Sequence, residues 1–131
     1  MSMKWEDNGI KTPLARARGL GSAKEGTDHW FMQRVTAIAN IPLMLWLVYS
    51  IVDLKGVSHA EFTQWLAHPI NAILMTLVII STFYHAKLGS QVVVEDYIHH
   101  EGFKMLKLIG MKLFFFGAAV ACIFSILKIA L

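Results

Sequence analysis

Three long stretches of the chain carry almost no charged side chains, and polar segments separate them. The first runs from Val35 to Val52, the second from Phe62 to Ala86, and the third from Leu106 to the C-terminus. A helix needs about 20 apolar residues to cross a hydrocarbon core of about 30 Å. The pattern therefore predicts three membrane-spanning helices, over approximately residues 30–54, 69–94 and 105–130.

The composition excludes an ordinary soluble domain. Of the 131 residues, 56% are hydrophobic and 16% are charged, whereas about a quarter of a typical globular protein is charged. Three apolar runs in so short a chain leave too little polar surface to bury them in water. The single cysteine, Cys122, also excludes an internal disulfide and a metal centre held only by this chain's thiolates. We predict an all-α integral membrane protein.

The positions of the basic residues predict an orientation. Loops rich in lysine and arginine stay in the cytoplasm, which places the N-terminus and the second connection inside and the first connection and C-terminus outside. Residues 1–28 are then a flexible cytoplasmic arm before a membrane anchor domain of residues 29–131. The arm could also be read as a mitochondrial transit peptide, but Glu6 and Asp7 argue against it. The net charge of +3 thus reflects the topology. We expect membrane lipid, and not nucleic acid, as a partner.

His85 is the most informative polar residue within a span, because ionisable groups there are costly and usually functional. Ser81, His85 and Gly89 share one face of the second helix at i, i+4 and i+8. Small neighbours leave room for a flat cofactor, and neutral imidazole is a common ligand of haem iron. The same spacing also suits a histidine that merely hydrogen-bonds to another helix. Spacing alone leaves both interpretations open.

Three further residues are candidates at the membrane boundary. Asp96 and Tyr97 follow the second span, where a carboxylate can deliver protons and a phenol can donate to a carbonyl oxygen. Arg34 precedes the first span and suits either a lipid headgroup or a buried carboxylate. An ordinary interfacial role remains open for all three.

Taken together, these residues resemble a known family. His85-Ala86-x-x-Gly89 continues as Gln91-Val92-x-x-x-Asp96-Tyr97, and Gln33-Arg34-Val35-Thr36-Ala37 precedes the first span. This combination is similar to the D-type hydrophobic anchor subunits of succinate dehydrogenase (complex II), particularly those of alphaproteobacteria. The resemblance extends over residues 13 to about 100, and the third span agrees only in character.

The resemblance implies a role in electron transport and the tricarboxylic acid cycle. This chain and a second, C-type anchor subunit would hold a haem b, with His85 as one axial ligand of the iron and Arg34 at a propionate. Tyr97 would hydrogen-bond to ubiquinone, and Asp96 would help to position that site. A flavoprotein subunit would oxidise succinate and an iron–sulfur subunit would carry the electrons, so no catalytic head is expected here.

The expected location is the bacterial inner membrane, with the mitochondrial inner membrane as the weaker alternative. Two other functions stay open on the sequence. A fumarate reductase anchor would run the same chemistry in the opposite direction. A non-redox scaffold or transporter subunit would use His85 only to bridge helices.

Overall fold

The computed structural model describes residues 26–131, where all regular secondary structure is α-helical. Four helices follow one another: α1 (Gly26–Asp53), α2 (His59–Ala67), α3 (Pro69–Tyr97) and α4 (Glu101–Ala130). The three long helices are apolar enough to cross a membrane, which confirms the predicted all-α fold with three spans. Helices α1 and α4 begin four residues earlier than predicted, and α3 ends three residues later.

The predicted N-terminal arm falls largely outside the described residues, which begin at Gly26. Residues 26–28, assigned to the arm on the sequence, form the first turn of α1 in the structure. The division of the chain into a flexible arm and a membrane anchor domain otherwise stays a prediction.

The short helix α2 was missed by the sequence analysis, which treated this region as a simple connection. Ser58 and Glu61 form a capping box, in which the Ser58 N–H donates to Glu61 Oε2 at 2.7 Å and the Glu61 N–H donates to Ser58 Oγ at 3.3 Å. These bonds lower the pKa of Glu61. Helical geometry is unfavourable for the residue that precedes a proline. His68 precedes Pro69 and has an extended backbone, so α2 ends there and α3 begins at Pro69.

Helix α3 is the centre of the arrangement. It packs against α1 on one side and α4 on the other, while α2 lies against α3 and α4. Within the described residues, α1 and α4 do not pack against each other. A small apolar cluster of Leu66, Ala72 and Ile126 joins α2, α3 and α4. The fold is therefore an open layer of three long helices rather than a closed bundle.

Large apolar side chains cover the outside of this layer. Ile38 and Leu45 of α1 and Phe114 and Phe124 of α4 are each about two-thirds exposed. A helix that is apolar on all sides needs a lipid or protein environment around it. These faces are suited to the bilayer and to neighbouring subunits.

Candidate functional site

The site is built where α1 meets α3. The Nδ1 atom of His85, half-buried on α3, lies 2.9 Å from Oγ1 of Thr36 on α1. Thr36 is 7% exposed, and its Oγ1 also lies 2.8 Å from the carbonyl oxygen of Met32, one turn earlier. His85, which the sequence analysis proposed as a metal ligand, is thus bonded to a neighbouring helix through one of its two ring nitrogens.

The other ring nitrogen of His85, Nε2, has no hydrogen-bond partner among the described residues. It is also not one of the fully buried polar atoms that lack a partner in the described chain. A histidine that is held at Nδ1 has Nε2 as its one remaining donor atom for a group bound beside α3.

Ser81 and Gly89 lie one turn to either side of His85, and both contact α1. Ser81 Oγ donates to the backbone oxygen of Thr36 at 3.5 Å, a long and weak hydrogen bond. A Cβ added at Gly89 would lie 3.4 Å from Nε2 of Gln33. Both small residues therefore face α1, and the neighbour at Gly89 is the far end of a flexible side chain. Their predicted place beside the haem stays a prediction, because the contacts seen here are with α1.

A line of polar side chains on α1 faces this interface. His29, Gln33, Thr36 and Asn40 recur at intervals of four, three and four residues, which places them on one side of the helix. His29 Nε2, Gln33 Oε1 and Asn40 Oδ1 are buried without a partner in the described chain. The sequence analysis missed this line, although its spacing within an apolar span was the available signal.

Arg34 lies away from that line. It follows Gln33 and precedes Thr36 by two residues, so it points about 200° around the helix from Thr36. Its guanidinium carbon sits 3.6 Å above the ring of Trp30, and Nη1 donates to the Trp30 carbonyl oxygen at 3.3 Å. The structure therefore does not bring Arg34 to His85 within this chain.

Asp96 and Tyr97 are the last residues of α3. At a rise of 1.5 Å per residue they lie about 16 and 18 Å from His85 along the helix axis. Asp96, three turns on, falls on nearly the same face as His85, whereas Tyr97 points about 120° away. Both are exposed, Tyr97 by 78%. The unbroken helix α3 thus carries both the proposed haem ligand, His85, and the proposed quinone residues, Asp96 and Tyr97, at a fixed separation.

A polar cavity of about 580 Å³ opens beside this end of α3. Acidic and basic side chains from three helices line it, among them Asp28, Lys87, Glu95 and Lys112, together with His29. Within residues 26–131, no three His, Cys, Asp or Glu side chains come together as a metal-ion site. The cavity is suited to water at the membrane boundary.

The fold and the site together define a multi-pass membrane subunit with a histidine held between two spans. The family model described as "Succinate dehydrogenase/Fumarate reductase transmembrane subunit" matches residues 8–127. This chain belongs to that family, which confirms the resemblance inferred from the sequence.

Curated relatives agree with this assignment. Proteins named succinate dehydrogenase hydrophobic membrane anchor subunit are 38% identical in Rickettsia bellii and 32% identical in Rickettsia conorii, each match covering 89% of this chain and 94% of the relative. A subunit of that name in Paracoccus denitrificans is 26% identical over 92% of both chains. No solved structure matches the chain. The spans and these bacterial relatives identify a multi-pass protein of the bacterial inner membrane.

Proposed function

We propose that this chain, a membrane anchor subunit of succinate:quinone oxidoreductase, supplies one axial ligand to a shared haem b and part of a ubiquinone site. The observation that carries the proposal is the state of His85, whose Nδ1 contacts Thr36 Oγ1 and whose Nε2 has no hydrogen-bond partner among the described residues.

The residues around His85 fit a haem. Haem b supplies one-electron transfer when its iron is bound by axial nitrogens such as those of histidine. His85 would provide Nε2 from this chain, and the second anchor subunit would provide another ligand. In this proposal Ser81 and Gly89 support the ring by allowing α1 to approach α3. Arg34 would bind a propionate from the outer side of α1, where it stacks on Trp30.

Tyr97 and Asp96 would form this chain's share of the ubiquinone site. The phenol of Tyr97 can donate a hydrogen bond to a quinone carbonyl oxygen, and the carboxylate of Asp96 can orient a cationic group of the partner. Tyr97 is too exposed to form a closed pocket on this chain alone, so surfaces of other subunits must complete it. The polar cavity nearby supports access of protons from water.

The proposed orientation places that site on the cytoplasmic side. Lysines and arginines concentrate before α1 and around the connection between α3 and α4, whereas the connection between α1 and α3 has only Lys55. Asp96 and Tyr97 then face the side where a peripheral iron–sulfur subunit and flavoprotein subunit would dock. The exposed apolar faces of α1 and α4 are suited to the second anchor subunit and to lipid.

The test is His85→Ala in the assembled, detergent-purified complex, with His68→Ala as the control. His68 lies at the other end of α3, between α2 and α3. We expect His85→Ala to abolish or strongly alter the reduced-minus-oxidised b-type haem spectrum and His68→Ala to leave it unchanged. An unaltered spectrum in His85→Ala would contradict ligation, and a wild-type complex without haem would favour a fumarate reductase anchor that lacks haem or a non-redox scaffold.

A further inference from the structure

We propose that Thr36 is a positioning residue for His85: its hydroxyl fixes the imidazole tautomer that leaves Nε2 unprotonated, and it tunes the donor strength of that nitrogen. The proposal rests on the haem ligation proposed above. It adds a role for a residue 49 positions away in sequence, on a different helix.

Thr36 has only one hydroxyl hydrogen, and this determines which partner donates in the hydrogen bond between Thr36 and His85. A hydroxyl has one hydrogen to donate, and a backbone carbonyl oxygen can only accept. Thr36 Oγ1 lies 2.8 Å from the Met32 carbonyl oxygen, a distance typical of an O–H···O hydrogen bond. Without a hydrogen between them, two acceptor oxygens this close would repel each other. The hydroxyl hydrogen is therefore committed to the backbone of α1, to the Met32 carbonyl oxygen at 2.8 Å rather than that of Gln33 at 3.2 Å, as is usual for a threonine within a helix.

It follows that Thr36 can only accept from His85. The 2.9 Å contact between Oγ1 and Nδ1 then requires a hydrogen on Nδ1. A neutral imidazole carries one N–H, so Nε2 keeps its lone pair and can act as a ligand. The opposite tautomer would leave two lone pairs facing each other in a buried, water-poor interface.

Thr36 is itself held firmly enough to perform this role. It is one of two polar residues classed as buried in the described chain, so water does not compete strongly for the bond. Its branched Cβ restricts the side-chain rotamer, and Ser81 Oγ donates to its backbone oxygen from α3. Burial and the restricted rotamer thus hold the hydroxyl in place, and the bond from Ser81 adds only a weak link to α3.

The expected consequence is a change in the electron-donating power of His85. Metal-ligating histidines usually donate the other N–H to a hydrogen-bond acceptor, which raises the basicity of the ligating nitrogen. A better donor stabilises ferric iron over ferrous iron. Removing the acceptor at Thr36 should therefore raise the haem reduction potential while His85 still binds.

The experiment compares Thr36→Val with Thr36→Ser in the assembled complex. Valine keeps the branched shape but has no acceptor, and serine keeps the hydroxyl. We expect Thr36→Val to raise the potential and to change the g-values of the ferric haem in electron paramagnetic resonance spectra. Thr36→Ser should retain the wild-type values. Loss of haem from an assembled Thr36→Val complex, with haem retained in Thr36→Ser, would also support positioning by the hydroxyl.

An unchanged potential and unchanged g-values in a haem-loaded Thr36→Val complex would overturn the proposal. If that variant does not assemble, Thr36→Cys takes its place, because a thiol is a much weaker acceptor of similar size, and the same two measurements apply. The His85→Ala complex distinguishes failure of this proposal from failure of the haem assignment. If His85→Ala loses haem but Thr36→Val leaves the potential and g-values unchanged, only the role of Thr36 is overturned.

Discussion

The two sides of α3 pack by different chemistry. Towards α1 the interface contains hydrogen bonds and polar atoms, with Thr36 joined to His85 and Ser81. Towards α4 it is apolar and aromatic, and Phe83 meets Phe115 edge to face with ring centroids 6.2 Å apart. Burying polar groups in a membrane is costly, whereas apolar packing needs no special partner. The difference indicates that α1 supports the candidate site and α4 mainly supports the fold.

The largest effect should come from filling the space between α1 and α3. A Cβ at Gly89 would lie 3.4 Å from Gln33 Nε2, so the larger side chain of Gly89→Leu would displace Gln33 and disturb the interface that holds Thr36 against His85. We expect little haem-loaded complex, measured as haem per purified complex. Gly89→Ala is the control, since its Cβ makes only an ordinary contact with a flexible side chain. Equal haem content in Gly89→Leu and wild type would show that this contact is not needed.

The next effect concerns the end of α3 rather than either interface. Tyr97→Phe removes one hydroxyl, and loss of its proposed hydrogen bond to quinone should lower quinone reductase activity about tenfold, equivalent to about 1.4 kcal/mol. The haem spectrum should not change, because Tyr97 lies about 18 Å along the helix from His85. Tyr84→Phe, on the same helix, serves as the control. Wild-type turnover of Tyr97→Phe with ubiquinone would contradict the quinone assignment.

A smaller effect is expected from the apolar side of α3. Phe115→Ala removes the edge-to-face contact with Phe83, and for this half-buried ring we expect a loss of about 1–2 kcal/mol of stability. The midpoint of thermal unfolding of the complex should fall. The haem potential should stay at its wild-type value, in contrast to Thr36→Val. A shifted haem potential in Phe115→Ala would contradict the conclusion that only the interface with α1 supports the candidate site.

The smallest effect should be local to α2. Ser58→Ala removes the side-chain acceptor of the capping box, which usually contributes about 1 kcal/mol. Faster amide hydrogen exchange within His59–Ala67 would reveal the loss, whereas Gln64→Ala, an exposed position in the same helix, should have less effect. Exchange that is equal in the two variants would argue against the cap.

The same cap predicts a pH dependence. Because the folded pKa of Glu61 lies below its ordinary value of 4.5, the stabilisation is present above that pH. It is lost as the pH falls through the lowered pKa. Amide exchange in α2 should therefore accelerate in acid for the wild type and respond less in Glu61→Gln. The reverse trend would contradict the lowered pKa.

Much of the fold was predictable because it depends on local composition. Long uncharged runs predict spans regardless of what packs beside them, and the family motif predicted His85, Asp96 and Tyr97 as candidates. The capping box of α2 was visible as Ser58 followed by Glu61 three residues later. The partner of His85 was not predictable, because spacing along α3 says nothing about which residue of α1 faces it.

The two interpretations of His85 that the sequence left open are compatible in the structure. The ring does hydrogen-bond to a neighbouring helix, through Nδ1. That bond does not use Nε2, so it is compatible with the proposed ligation instead of competing with it. For Arg34 the structure adds a contact that the sequence did not indicate: the rotation of α1 directs its guanidinium to Trp30, and its role at a propionate stays a proposal.

The sequence by itself determined the number of spans and the separation of His85 from Asp96 and Tyr97, because one continuous helix has a fixed rise per residue. Only the tertiary structure decided which face of α3 is covered by α1 and which hydroxyl meets His85. Those contacts depend on the rotation and approach of helices that are far apart in the chain. The position of Gln33 beside Gly89 and that of Thr36 beside His85 exist only once the helices have packed.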